Sequence, residues 1–149
     1  MEVQELRPHI LAVDDNKNFG ETLKLILKDR YRVTVVLNAK AAKEALDVTR
    51  FDLMLLDLDL PRISGLEFLR FIIPEFPGLS IIMLTGTSDL NTAIECMKAG
   101  ACDYVVKEGE DFSARLHLRI EQALKQASLI VKNSRLEAEV SRLKPKISW

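Results

Sequence analysis

Two cysteines are all that this 149-residue sequence contains, too few for a disulfide framework and, without further ligands at metal spacing, no zinc site. Cys96 and Cys102 flank Gly100 and read most simply as buried, reduced thiols. Charge of one sign is lacking as well. Against 22 acidic residues stand 21 Lys and Arg, a formal net charge of −1, which offers no basic field for direct nucleic-acid contact. No apolar run approaches the ~18–20 residues that span a bilayer. The first segment holds only residues 10–13 as an apolar run, between Arg7-Pro8-His9 and an acidic pair, and does not read as a signal peptide. A cytoplasmic location with no membrane partner is therefore expected. Neither an internal repeat nor a low-complexity tract is present. Hydrophobic residues at 48% and charged residues at 29% exclude wholesale disorder. A chain of this length can bury roughly 68–70% of its unfolded surface around one core.

What is present is a recurring unit. Short apolar runs appear at Ile10-Leu11-Ala12-Val13, Val33-Thr34-Val35-Val36, Leu53-Met54-Leu55-Leu56, Ile81-Ile82-Met83-Leu84 and Tyr104-Val105-Val106. Continuous runs suit strands covered on both faces, as a parallel sheet requires. Between them lie helical spacings: Phe19, Leu23 and Ile26; Ala42, Ala45, Leu46 and Thr49; Leu66, Leu69 and Ile72, opened by the capping-box pair Ser64 and Glu67 and stopped before Pro74. Leu90, Ala93, Ile94 and Met97 form a further stripe, opened by Ser88-Asp89 and ended by Gly100 as a left-handed cap. Strict strand–helix alternation predicts an α/β fold with right-handed crossovers.

The last helix is unusually long. From about residue 112 to 143 there is neither Pro nor Gly, with Pro145 soon after, and such a helix would span roughly 45–50 Å. Leu116, Ile120, Ala123, Ala127 and Ile130 give it a docking face. Leu129, Leu136, Val140 and Leu143 define a second seam with Asn133 at one position. The first half is expected to pack on the sheet and the second to project. Along this helix and its tail, Lys125, Lys132, Arg135, Arg142, Lys144 and Lys146 alternate with Glu121, Glu137 and Glu139, the pattern of a solvated face.

In an open parallel sheet, ligands bind beyond the carboxyl ends of the strands. Asp14 and Asp15 follow the first strand, Asp57 and then Asp59 follow the third, Thr85 closes the fourth and Lys107 the fifth. Singly, each suits a turn or a strand-end cap; jointly they converge on one edge. If the first and third strands are neighbours, Asp14, Asp15 and Asp57 come within a few ångströms. Each like-charge pair then costs about 4 kcal/mol at 4 Å and an effective dielectric near 20. Lys107 offsets part of this, and an oxygen-seeking divalent cation such as Mg²⁺ would relieve the rest. A carboxylate beside Mg²⁺ and a Lys is equipped to attack phosphorus, with Thr85 donating a hydrogen bond to a phosphoryl oxygen. His9 and His117 have no evident partners in the sequence and are assigned packing or surface roles.

Taken together, Ile10-Leu11-Ala12-Val13-Asp14-Asp15, Leu55-Leu56-Asp57-Leu58-Asp59-Leu60-Pro61 with Gly65, Met83-Leu84-Thr85-Gly86, and Met97-Lys98-Ala99-Gly100-Ala101-Cys102-Asp103-Tyr104 with Lys107 resemble the receiver domain of two-component response regulators. The resemblance covers about residues 8–127. It implies a doubly wound, flavodoxin-like five-stranded parallel sheet of order 2-1-3-4-5 carrying an extended C-terminal helix. Residues 1–127 would form the receiver, and 128–149 a helical extension, either a short coiled coil supporting a homodimer or a linker. By the same resemblance Asp57 accepts a phosphoryl group from a histidine kinase or phosphotransfer protein. Asp14, Asp15, Asp57 and the backbone carbonyl of Asp59 hold Mg²⁺, Thr85 and Lys107 contact the phosphoryl oxygens, and Tyr104 stands at the switch-aromatic position. Such a chain is a phosphoacceptor switch, not an enzyme.

Two departures from the family pattern adjoin Lys107. Glu108 stands where the family usually has Pro, commonly after a cis peptide. A cis bond before a non-proline residue costs about 2.5–4 kcal/mol, so a trans peptide or a rebuilt loop is expected. The stretch Glu108-Gly109-Glu110-Asp111 also runs about two residues longer than usual. Two competing readings stand beside the receiver. Asp57-Leu58-Asp59 has the form of the nucleophile motif of haloacid-dehalogenase-like phosphatases, although the acidic clusters come in reversed order and no cap domain fits. Alternatively the acidic pocket is vestigial and the seam from Leu129 to Leu143 makes a helical dimerisation module.

Overall fold

The structure is a computed structural model that describes residues 6–86 and 89–143. Five strands, β1 (His9–Val13), β2 (Arg32–Val36), β3 (Leu53–Asp57), β4 (Ser80–Thr85) and β5 (Asp103–Val106), form one parallel sheet of order β2-β1-β3-β4-β5. Helices α1 (Lys17–Leu27), α2 (Ala39–Val48), α3 (Gly65–Ile72), α4 (Leu90–Ala99) and α5 (Phe112–Leu143) alternate with them. The five expected strands and the doubly wound order are all present.

Two-sided burial explains the continuous apolar runs. Leu11, Val13, Met54, Leu56, Ile81 and Met83 face a core closed by α2, α3 and α4. Their chain neighbours Ile10, Ala12, Leu53, Leu55, Ile82 and Leu84 face a second core closed by α1 and α5. Alternate residues of each central strand thus serve opposite layers, and neither face of the strand tolerates polarity.

Local signals set the helix ends. Asn16 and Asn38 cap α1 and α2 by accepting from the amides of Phe19 and Ala41. Ser64 accepts from the Glu67 amide at 3.1 Å, the forward half of the expected capping box, and α3 ends just ahead of Pro74. Gly100 closes α4 in the left-handed region at φ 119°.

Several expected faces are rotated or shortened. On α4, Leu90, Ile94 and Met97 are exposed. The residues that reach the core are instead Cys96 and Ala99, whose small side chains let the helix lie close to its neighbours. Thr49 is not part of the α2 face: it is the extended residue after the helix, and Ala39 takes its place at the other end. Phe68 joins Leu69 and Ile72 in the core, while Leu66 is only partly buried. Cys96 is fully buried, but Cys102 is exposed, because it lies in the turn between the Gly100 cap and β5. On α5 the docked face is Phe112, Leu116, Ile120 and Ala123, with Leu124 alongside. Ile130 is exposed because the sheet has already ended beneath it. Beyond that point the seam Leu129, Leu136, Val140 and Leu143 stands in solvent, as expected of a projecting half. Among the described residues no helix is long and apolar enough to cross a membrane. Ser88, Lys144, Pro145, Lys146 and the end of the 128–149 extension lie outside the described residues.

Candidate functional site

The chain crosses from β1 to β2 on one side and then returns to β3 on the other, so the strand order reverses between β1 and β3. A crevice opens at the carboxyl ends there. The register pairs Val13 with Leu56, which sets Asp14 beside Asp57. It pairs Asp57 with Leu84 and Thr85 with Val106, so Thr85 and Lys107 arrive at the same edge from the other side.

Three carboxylates meet there. Asp14, Asp15 and Asp57 each offer an oxygen, and these atoms lie within 4.8 Å of one another. Asp14 and Asp57 are 1% and 3% exposed, whereas Asp15 faces solvent. Lys107 bridges the buried pair, its Nζ 2.7 Å from Asp14 Oδ2 and 3.3 Å from Asp57 Oδ1. The same ammonium lies 4.4 Å from the centre of the Phe19 ring, whose negative face favours a cation. Backbone amides complete the frame. The Asn16 amide donates to Asp14 Oδ1 at 2.8 Å, and the Asp59 amide to Asp57 Oδ1 at 3.2 Å. The Lys107 amide donates to the Thr85 carbonyl at 2.7 Å, which extends the β4–β5 ladder to the site.

Burial dominates the electrostatics of Asp57. Its pKa is raised from 3.8 to about 6, chiefly by desolvation; Lys107 pulls it down, Asp14 pushes it up, and the Asp59 amide lowers it again. A carboxylate held in this way is costly as an anion until a cation or a covalent partner takes its charge.

Gly65, at the start of α3, has a geometric role. A Cβ there would lie 2.2 Å from the Asp57 carbonyl oxygen and 2.8 Å from Leu58 Cα. Only glycine lets the start of α3 rest against the backbone of the acidic residue, and its amide donates to the Leu58 carbonyl at 2.8 Å. Ahead of it, Arg62 takes a left-handed φ of 69°. Thr85 is fully buried. Tyr104 is half-buried against the core closed by α2, α3 and α4. Asp59 is exposed, contributing its amide to Asp57.

Three features were not foreseen. Phe19 lies under the Lys107 ammonium, and the amide of Asn16 holds Asp14. Arg115 reaches back from α5 to the loop after Lys107, where no cis peptide occurs among the described residues. The two histidines lie away from the site in packing roles, as expected, against Phe51 and Tyr31, and each has a hydrogen-bond partner distant in sequence. His9 Nε2 pairs with Thr34 Oγ1 at 2.7 Å, and His117 Nε2 with the Ile26 carbonyl at 3.0 Å. His117 Nδ1 is buried without a partner.

The donor set is all carboxylate oxygen, without sulfur or imidazole. Its spread is close to the ~4 Å between opposite ligands of an ion bound at about 2.0–2.1 Å, and this chemistry fits Mg²⁺. A doubly wound parallel sheet with an acidic, lysine-bridged pocket at its switch point is a ligand-binding fold of the flavodoxin type.

Comparison with known proteins narrows the class. The family model described as the response regulator receiver domain matches residues 10–121. The transcriptional regulatory protein FixJ of Bradyrhizobium diazoefficiens is 31% identical over 134 residues, covering 89% of this chain and 64% of FixJ. The chain thus spans just under two thirds of that relative. Among solved structures, a CheY-like response regulator receiver domain protein from Methanospirillum hungatei superposes with a TM-score of 0.76 at 28% identity, covering 82% of this chain and 98% of that one. NtrX from Brucella abortus gives a TM-score of 0.81 at 29% identity, covering 88% of this chain and 30% of NtrX. The chain belongs to the response regulator receiver family. The phosphatase and vestigial-pocket readings are not favoured.

Proposed function

We propose that this receiver accepts a phosphoryl group on Asp57 from a histidine kinase or phosphotransfer protein and acts as a switch, not as a turnover enzyme. The observation that supports this best is a carboxylate only 3% exposed at the end of the central strand, 3.3 Å from an ammonium and grouped with two further carboxylates. In the transfer, an Asp57 oxygen forms a bond to phosphorus as the bond from phosphorus to the donor's leaving atom breaks. Lys107 then moves its ammonium from carboxylate to phosphoryl oxygen, and the Thr85 hydroxyl donates to another. Asp14, Asp15, the Asp57 side chain and the Asp59 carbonyl would hold Mg²⁺, which when bound neutralises charge on the phosphoryl oxygens.

The product carries added negative charge and strong acceptor oxygens beside Thr85, whose strand neighbours Tyr104. Their joint repositioning would bias a two-state element, to the extent that the two states hold the phosphoryl group differently. Residues 1–127 are read as the receiver unit and 128–149 as a helical extension that pairs two copies. A relative named as a transcriptional regulator supports an output on gene expression. The mixed charges of α5 favour no direct nucleic-acid contact by this segment, and a cytoplasmic setting matches a kinase partner.

The test is direct. Acetyl phosphate with Mg²⁺ should label the chain once, Asp57→Asn should abolish the label, and Asp15→Ala should weaken Mg²⁺ binding strongly in calorimetry. A label that survives Asp57→Asn, or unchanged Mg²⁺ affinity in Asp15→Ala, overturns the assignment.

A further inference from the structure

We propose that Arg115 is a positioning residue for phosphoryl transfer: by gripping the backbone on both sides of Lys107, it holds that ammonium over the Asp14–Asp57 pair. The proposal rests on the receiver reading of the site.

Lys107 needs such help. It lies just beyond β5, an edge strand, and is followed by Glu108-Gly109-Glu110-Asp111, a loop with no ring to restrain its backbone. Its ammonium ends a long, flexible stem, so simultaneous contact with both carboxylates, at 2.7 and 3.3 Å, depends on a backbone held in place.

Arg115 supplies the restraint with every nitrogen of its guanidinium. Nη1 donates to the Val106 carbonyl at 3.0 Å, and Nη2 donates to the Glu108 carbonyl, one residue to either side of Lys107. Nε is 3.1 Å from Asp111 Oδ1, which fixes the fork from behind. The turn is shaped to admit it. Gly109 takes φ 104°, and a Cβ there would lie 2.9 Å from Asp111 Oδ1 and 3.4 Å from Arg115 Nη2.

A second route runs through rings. The guanidinium lies 5.9 Å from the centre of the Phe112 ring, whose own centre is 5.9 Å from that of Phe19. Phe19 is the ring beneath the Lys107 ammonium. Backbone and aromatic contacts both lead from Arg115 to one atom, Lys107 Nζ. A lysine at 115 has a single nitrogen and cannot span two carbonyls and a carboxylate.

The alternative is that Arg115 merely anchors the start of α5. A double-mutant cycle on the full chain separates the two, read as the rate of Asp57 labelling by acetyl phosphate with Mg²⁺. Arg115→Ala should slow labelling roughly tenfold, the scale set by losing alignment of one catalytic group, and Arg115→Lys should recover only part. In a Lys107→Ala background the same Arg115→Ala change should have no further effect, because no ammonium remains to be positioned. An unchanged rate, or an equal slowing in both backgrounds, overturns the proposal. Should Arg115→Ala fail to fold, Arg115→Gln carries the same comparison with one donor kept. Absence of label in the parent chain would instead remove the receiver reading itself, and the proposal with it.

Discussion

At the scale of single residues, the site is defined by a conflict between burial and charge. Asp14 and Asp57 are almost fully enclosed, and one ammonium serves both. Desolvation raises Asp57 to about 6 from 3.8, so the folded, metal-free chain binds more protons than the unfolded chain between those two values. Stability therefore falls as pH rises through that window, and the penalty is complete above pH 6. Replacing Asp57 by Asn removes the charge but keeps the shape and an acceptor oxygen. In EDTA at pH 7.5, Asp57→Asn should be more stable than the parent by about 2–3 kcal/mol, the raised pKa converted at 1.36 kcal/mol per unit. The gain should shrink on acidification and vanish near pH 4. Urea unfolding at a series of pH values measures this, and a gain that stayed constant with pH would show that packing, not ionisation, is responsible.

At the scale of elements, α3 shows how a backbone contact tunes a site that no side chain reveals. Its first residue rests on the Asp57 carbonyl, and Gly65→Ala would force the two apart. The expected cost is about 1–3 kcal/mol, as for overpacking elsewhere, with slower Asp57 labelling because the acceptor strand end is displaced. Denaturant unfolding alongside the labelling assay checks both; normal labelling with normal stability would show that α3 yields without disturbing β3. This element also shows what the sequence could and could not reveal. The strands were legible because burial on two faces demands unbroken apolar runs, and the acidic edge was legible because Asp14, Asp57 and Lys107 each interrupt such a run. The inward face of α4 was not, since its core contacts come from Cys96 and Ala99 while the larger Leu90, Ile94 and Met97 face out. Arg115 was hidden for a different reason: two of its partners are carbonyls, which every residue possesses and no sequence displays.

At the scale of the whole molecule, α5 belongs to two regimes. Its 32 residues extend about 48 Å at 1.5 Å per residue. Only the stretch from Phe112 to Ala123 supplies fully buried side chains, so the remaining turns have no sheet beneath them. Helical stability comes mostly from packing one face, and these turns carry Leu129, Asn133, Leu136, Val140 and Leu143 at alternating steps of four and three. That spacing is the seam of a two-stranded coil, with a polar residue at one position to fix register. Leu136 and Val140 are 47% and 55% exposed in the single chain, and pairing would bury both. The parent chain should therefore run as a dimer in light scattering. The double substitution of Leu136 and Val140 by Glu should return it to a monomer and lower its helical ellipticity, because an unpaired extension frays. Labelling of Asp57 should be untouched, since α5 starts beside the acidic edge and the seam occupies its far turns. A parent chain that is monomeric with and without acetyl phosphate would make the extension a linker, and the exposed seam would then have to find its cover elsewhere.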